Sequence, residues 1–183
     1  MIKITKISLL FLVFCISNSI YSQRFSWASS LSGGYVQEGF SGLATIEYGL
    51  NSKNYLHVGV QASFSNLKAE DDLSIPLNIY TVNVGYFIDV FLNDRRNLAI
   101  ALGFGGVFGK EFINDSNTDL GFGRSILIDD QLLFGAFVGA DLDFYVSQKI
   151  AINFKANQYY HASSDTGKLT PYFGLGFKFI ISG

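Results

Sequence analysis

Two groups of residues have types and spacing that could support chemistry. The first is His161-Ala162-Ser163 with Asp165 two residues on. An imidazole beside a hydroxyl can act as a general base and turn the serine into a nucleophile toward an acyl ester. The second is a scattered set of charges, Glu47, His57, Asp89, Asp141, Asp143, Lys155 and Lys178. Each interrupts an otherwise uncharged alternating segment and falls on the side opposite the large apolar residues. If neighbouring segments pair as hairpins, the turn near Ser52 sets Glu47 opposite His57, and the turn about Gln148 sets Asp141 opposite Lys155. Opposite charges at such positions are cross-strand neighbours. They read as a buried network that satisfies itself, because leaving one partner unpaired would cost roughly 3–5 kcal/mol.

The elements that must position these residues are β-strands. The stretch Leu169 to Ile181 puts Phe173, Leu175, Phe177, Phe179 and Ile181 on one face and Tyr172, Gly174, Gly176 and Lys178 on the other, the period of two that a strand imposes. Seven more segments alternate in the same way. Trp27, Leu31 and Tyr35 oppose Ala28, Ser30 and Ser32; Ala44, Ile46 and Tyr48 oppose Leu43, Thr45 and Glu47. Leu56, Val58, Val60 and Phe64 oppose His57, Gly59, Gln61 and Ser63. Tyr80, Val82, Val84, Tyr86 and Ile88 oppose Thr81, Asn83, Gly85, Phe87 and Asp89. In the fifth, Leu98, Ile100, Leu102 and Phe104 stand against Ala99, Ala101, Gly103 and Gly105, small residues that leave room for large ones across the interior. Leu132, Phe134, Val138, Leu142 and Phe144 oppose Phe137, Gly139, Asp141, Asp143 and Tyr145, and Ile150, Ile152 and Phe154 oppose Asn153, Lys155, Asn157 and His161.

A leader precedes them. Met1 to Ser22 runs from Lys3 and Lys6 through an apolar core, Ile7 to Ile16, to a polar end. That order is a secretory signal peptide, because the core is about half the ~20 residues a spanning helix needs. Cys15 lies inside the core after Phe14, which does not suit lipid attachment. Cleavage after Ser22 would leave residues 23–183 as one domain without cysteine.

Composition narrows the class. Hydrophobic residues make up 49% of the chain, with 18 Phe, 10 Tyr and 19 Gly, yet no mature apolar run is long enough for a membrane helix. A transmembrane barrel resolves this, since one strand face meets lipid and the other a polar interior. Tight turns after the second, fourth and sixth segments alternate with longer polar connections after the third, fifth and seventh, the asymmetry of an outer-membrane barrel. The expectation is an all-β, eight-stranded antiparallel up-and-down transmembrane β-barrel of outer-membrane type, too narrow for an open pore. The connection from Asn114 to Asp130 is the longest and the expected exposed contact. The connection near Gln37 to Gly39 is unusually short.

Other chemistries are disfavoured. The net charge of −2 argues against nucleic acid as a direct partner. His57 and His161 lie far apart in sequence and no cysteine survives processing, so no metal set is expected. Gly103, Gly105 and Gly106 lie within a strand and make no phosphate loop. No cofactor or small-molecule substrate is expected. The His161/Ser163 pair is similar to that of barrel lipid A deacylases, but strand parity turns His161 inward, and Ser163-Ser164-Asp165-Thr166-Gly167 is ordinary loop chemistry.

Several ordered pieces carry a family resemblance: Ile75-Pro76 with Tyr80, Gly85-Tyr86-Phe87, Asp94-Arg95, Leu102-Gly103 with Gly109-Lys110-Glu111, Phe134-Gly135, Thr166-Gly167-Lys168, and Gly174 to Ile181. In order and spacing they resemble the TraO proteins of conjugative transposons from Bacteroides and relatives. The Ser147-Gln148-Lys149 turn departs from the Thr-Asp-Arg tendency of that family. The resemblance implies a non-enzymatic outer-membrane component of the conjugative transfer apparatus, with outer-membrane lipid and other transfer proteins as partners. It implies no catalytic residues. The alternatives are an OmpX-like envelope or adhesion barrel and, from an enzyme class, a lipid A deacylase.

Overall fold

The computed structural model describes residues 26–182 apart from 69–73, 94–96, 115–118, 122–123, 126–129 and 165. The leader, Phe25, the acidic connection Glu70-Asp71-Asp72, the Asp94-Arg95 turn and Asp165 lie outside the described residues. Among the described residues there are ten strands: β1 (Trp27–Val36), β2 (Gly39–Gly49), β3 (Asn54–Lys68), β4 (Ser74–Leu92), β5 (Leu98–Ile113), β6 (Asp119–Gly121), β7 (Arg124–Ser125), β8 (Gln131–Tyr145), β9 (Ile150–His161) and β10 (Leu169–Ser182).

Eight of them close an antiparallel barrel in the order β1-β10-β9-β8-β5-β4-β3-β2, and β6 and β7 form a separate two-stranded hairpin. Closure pairs the last strand with the first, Leu31 opposite Phe177 and Tyr35 opposite Phe173, so no strand is left as an edge of an open sheet.

Alternation sorts the faces. Leu31, Val60, Val84, Phe104, Val138 and Leu175 are exposed on the outer wall, while Ala28, Leu43, Tyr55, Phe87, Ala101 and Tyr172 are buried inside. An apolar belt this continuous is what a lipid-facing barrel presents. At one bulge, between Asp89 and Phe91, Val90 drops out of the ladder with β5, and the parity of β4 changes there.

The small interior residues of β5 are required by their neighbours. A Cβ on Gly103 would overlap the Phe87 ring, and one on Gly105 would collide with the Val84 carbonyl and with Phe137. The two phenylalanines cross the interior at this level, with ring centroids 6.3 Å apart.

One expectation about connections needs correction. β3 continues to Lys68 and β4 begins at Ser74, which leaves a five-residue connection no longer than the one between β4 and β5. Both strands run further than expected, so that Lys68, Ser74, Ile75 and Pro76 are strand, while the acidic residues between them lie outside the described residues. The long connection between β5 and β8 is also partly structured, by β6 and β7.

Candidate functional site: a charged barrel interior

The interior near the ends of β2 and β8 holds a compact set of ionised side chains. Register brings them there: Glu47 stands opposite His57 on β3, and Asp141 on β8 opposite Lys155 on β9. The Lys155 ammonium lies 2.7 Å from Asp141 Oδ2 and 3.3 Å from Glu47 Oε1. Lys178, from β10, lies 2.8 Å from Glu47 Oε2 and 2.7 Å from Asp143 Oδ2. Every one of these side chains is 0–1% exposed.

Polar neighbours complete the set. The Tyr55 hydroxyl donates to Asp141 Oδ2 at 3.1 Å and the Asn153 amide donates to Asp143 Oδ1. Ser30 and Thr45 share a 2.6 Å hydrogen bond, and Thr45 reaches Glu47 at 3.5 Å. Three carboxylates therefore share two ammonium groups, each ammonium joining its own strand to β2 and β8. Such an arrangement holds strands far apart in sequence in one relative position, provided all its members are present. Asp89 stands apart, half-buried at the rim in a small recess with Asn51, Lys53 and Tyr55.

Sequence separation was a poor guide to possible ligands. Glu47, His57 and Asp141 offer three donor atoms within 4.8 Å of one another, because strands distant in sequence are adjacent around a barrel. The same space receives the Lys155 ammonium, which supplies a cation to both carboxylates.

Above the charges lies an aromatic layer. Tyr55 stacks on Phe87 at 5.3 Å, His57 lies 5.1 Å from Phe87, Phe137 meets Tyr159 at 5.5 Å, and Tyr159 stacks on His161 at 6.0 Å. Asn83 and Asn157 donate to the Tyr159 hydroxyl, and Tyr172 shares a 2.8 Å hydrogen bond with Ser32.

At the other end, Leu77, Ile79, Ile113 and Leu133 pack into a second apolar cluster. Beside it Glu111 is fully buried and accepts hydrogen bonds from Ser164 Oγ at 3.0 Å and Thr166 Oγ1 at 2.9 Å. Ser164 also accepts the Gly167 amide. The connection between β9 and β10 is thus tied down to the interior. Glu111, Ser164 and Thr166 were missed by sequence reasoning, although the parity of Ala99, Ala101, Gly103 and Gly105 continues inward to Glu111.

The proposed nucleophilic pair has a different geometry. His161 is buried against Tyr159, whereas the Ser163 hydroxyl donates to the Leu132 carbonyl at 2.8 Å and accepts the Phe134 amide at 3.1 Å. Ser163 therefore extends the edge of β8, and Asp165 lies outside the described residues.

Comparisons with known proteins agree with this architecture. A family model described as conjugative transposon protein TraO matches residues 27–181. No curated protein matches the chain. Among solved structures, the N-terminal β-barrel domain of Pseudomonas aeruginosa OprF is similar at TM-score 0.56 and 15% identity, covering 85% of this chain and 97% of that one. Neisserial surface protein A is similar at TM-score 0.56 and 12% identity, covering 85% and 95%. Ail, the attachment invasion locus protein of Yersinia pestis, solved with the heparin analogue sucrose octasulfate, is similar at TM-score 0.51 and 18% identity, covering 85% and 100%. At these identities the likeness is one of fold, an eight-stranded outer-membrane-type barrel.

Proposed function

The chain belongs to the TraO family of conjugative transposon proteins, and from that membership we propose that it works as a non-enzymatic outer-membrane barrel of the conjugative transfer apparatus. The observation that carries the reading is the filled interior. Ion pairs, an aromatic layer and an apolar cluster with the Glu111 anchor succeed one another along the axis. A DNA strand passing through would have to displace all three layers and would find Lys155 and Lys178 already held by carboxylates. The barrel therefore serves as a fixed body in the membrane, and its partners are outer-membrane lipid and other transfer proteins. The charge network of Glu47, His57, Asp141, Asp143, Lys155 and Lys178 has a structural role, with Asp89 at its rim. Residues 1–22 direct export, and 23–183 form the barrel domain.

The experiment is gene deletion in the donor and, separately, in the recipient. Donor deletion should lower conjugation frequency and leave donor growth unchanged, and recipient deletion should have no effect. Normal transfer from a donor lacking the gene would refute the transfer role and favour an envelope or adhesion barrel.

A further inference from the structure

The height of each residue on the barrel wall follows from the register. A circuit of cross-strand partners that leaves Val36 through Tyr172 on β10 and passes around the wall to Gly49 on β2 returns to Ser26, ten residues lower on β1. A stagger of that size over eight strands, each ~4.8 Å from the next, tilts the strands by about 40°, so each residue climbs about 2.5 Å along the axis. On this scale Phe134 and Phe144, both exposed on the outer face of β8, stand about 25 Å apart, the height of the apolar band between the two aromatic girdles of an outer-membrane barrel. Tyr35, Phe40 and Phe64 continue the upper girdle on β1, β2 and β3, and Tyr80 and Phe108 continue it on β4 and β5. Phe108 is the direct partner of Phe134.

Lys110 stands two residues beyond Phe108 on the same face of β5, about 5 Å past the girdle. That is within the headgroup layer, which adds roughly 5–7 Å to each side of the hydrocarbon. Among the described side chains on the outward faces of the eight barrel strands, Lys110 carries the only charge. Its ammonium lies 3.6 Å from Asp130 Oδ2, with the lysine side chain 44% exposed. This is an ion pair too long to be a hydrogen bond, so no carboxylate engages the three N–H donors of the ammonium. The cation is nevertheless held in one place. It sits 4.4 Å from the centre of the Phe112 ring, Phe112 meets Tyr80 edge-on at 5.9 Å, and Tyr80 meets Phe64 in the same way at 6.1 Å. Tyr80 is also the direct cross-strand partner of Lys110.

We propose that Lys110, seated on Phe112 and Tyr80, is a binding site for the phosphate of a lipid A headgroup in the surrounding leaflet. Two parts of the wall select a lipid over a free anion. Val82 and Phe108 are paired and exposed directly below the cation and offer an apolar surface to an acyl chain, while the ammonium attracts the phosphate of the same molecule at the membrane surface. Taking this end as the outer one, and lipid A as the phosphorylated lipid within reach, rests on the outer-membrane barrel proposed above.

The test uses the full chain purified from outer membranes in a zwitterionic detergent free of phosphate, with lipid A as the probe and native mass spectrometry as the readout of bound lipid. Lys110→Gln should weaken lipid A binding about fivefold, the factor expected for one cation at a membrane surface, and Lys110→Arg should keep it. Lipid A stripped of phosphate should bind the parent as weakly as intact lipid A binds the Gln variant. Asp130→Asn removes the competing anion but keeps an acceptor for the Ile113 amide, and should tighten binding. Lys168→Gln, at an exposed cation in the β9–β10 connection, should change nothing, and heat-dependent gel mobility checks that each variant is folded. Binding that Lys110→Gln leaves intact, a loss matched by Lys168→Gln or by Asp130→Asn, or displacement of lipid A by inorganic phosphate alone would overturn the proposal. Such a result from a chain that still fractionates with the outer membrane refutes this site alone, whereas recovery of the chain outside that membrane refutes the barrel's proposed location.

Discussion

Removing the Lys155 ammonium tests whether the interior charges act as one unit. Lys155→Met keeps most of the side-chain volume but strips a cation that lies 2.7 Å from Asp141 and 3.3 Å from Glu47. Lys178 lies 4.0 Å from Asp141 and already holds Glu47 and Asp143, so it compensates only in part. Leaving a buried charge without its partner costs roughly 3–5 kcal/mol. Asp141→Asn alone should also destabilise, since it takes from Lys155 the nearer of its two carboxylates, leaving Glu47 at 3.3 Å, and weakens the bond from Tyr55. The double variant removes both members and should cost less than the sum by about 0.5–3 kcal/mol, the usual range for contacting residues. Urea unfolding of the barrel in lipid vesicles, followed by tryptophan fluorescence from Trp27, measures all three. Additive costs, or single variants within about 0.5 kcal/mol of the parent, would refute a coupled network.

Other outcomes follow from the same structure. Val84→Arg places a charge on the lipid face and should destabilise the barrel by roughly 2–4 kcal/mol if it sits at the midplane, with the loss read from the same unfolding midpoints. Gly103→Ala drives a methyl into the Phe87 ring and should cost about 1–3 kcal/mol, most of it recovered by adding Phe87→Leu. Glu111→Ala should free the β9–β10 connection, seen as at least tenfold faster amide exchange at Gly167, with little change at Val138. Ser163→Ala should leave lipid A unaltered by mass spectrometry and donor transfer at its normal frequency, whereas a deacylase would lose its modification.

The strand faces were legible in the sequence because lipid on one side and a packed interior on the other enforce parity at nearly every position. Leu56, Val58 and Val60 against His57 and Gly59 could hardly be read otherwise. Cross-strand partners were legible wherever a short turn fixed the register, as for Glu47 with His57 and Asp141 with Lys155. Contacts across the barrel were not. Lys178 meeting Glu47, and Glu111 receiving Ser164 and Thr166, depend on closure and on how a connection folds back, which period-two patterning does not encode. The extension of β3 and β4 was hidden for a related reason: backbone pairing continues through Lys68 opposite Ser74 without the period-two side-chain pattern by which a strand is read.

The central claim is that this chain lives as a closed barrel embedded in the outer membrane. Its most direct measurement is gel mobility of the protein from density-separated outer membranes, loaded in detergent with and without boiling. The unheated protein should fractionate with outer membrane and migrate as a compact form that boiling converts to full apparent mass, as a closed barrel resists detergent until heated. Recovery in the soluble fraction, or identical mobility before and after boiling, would contradict the claim.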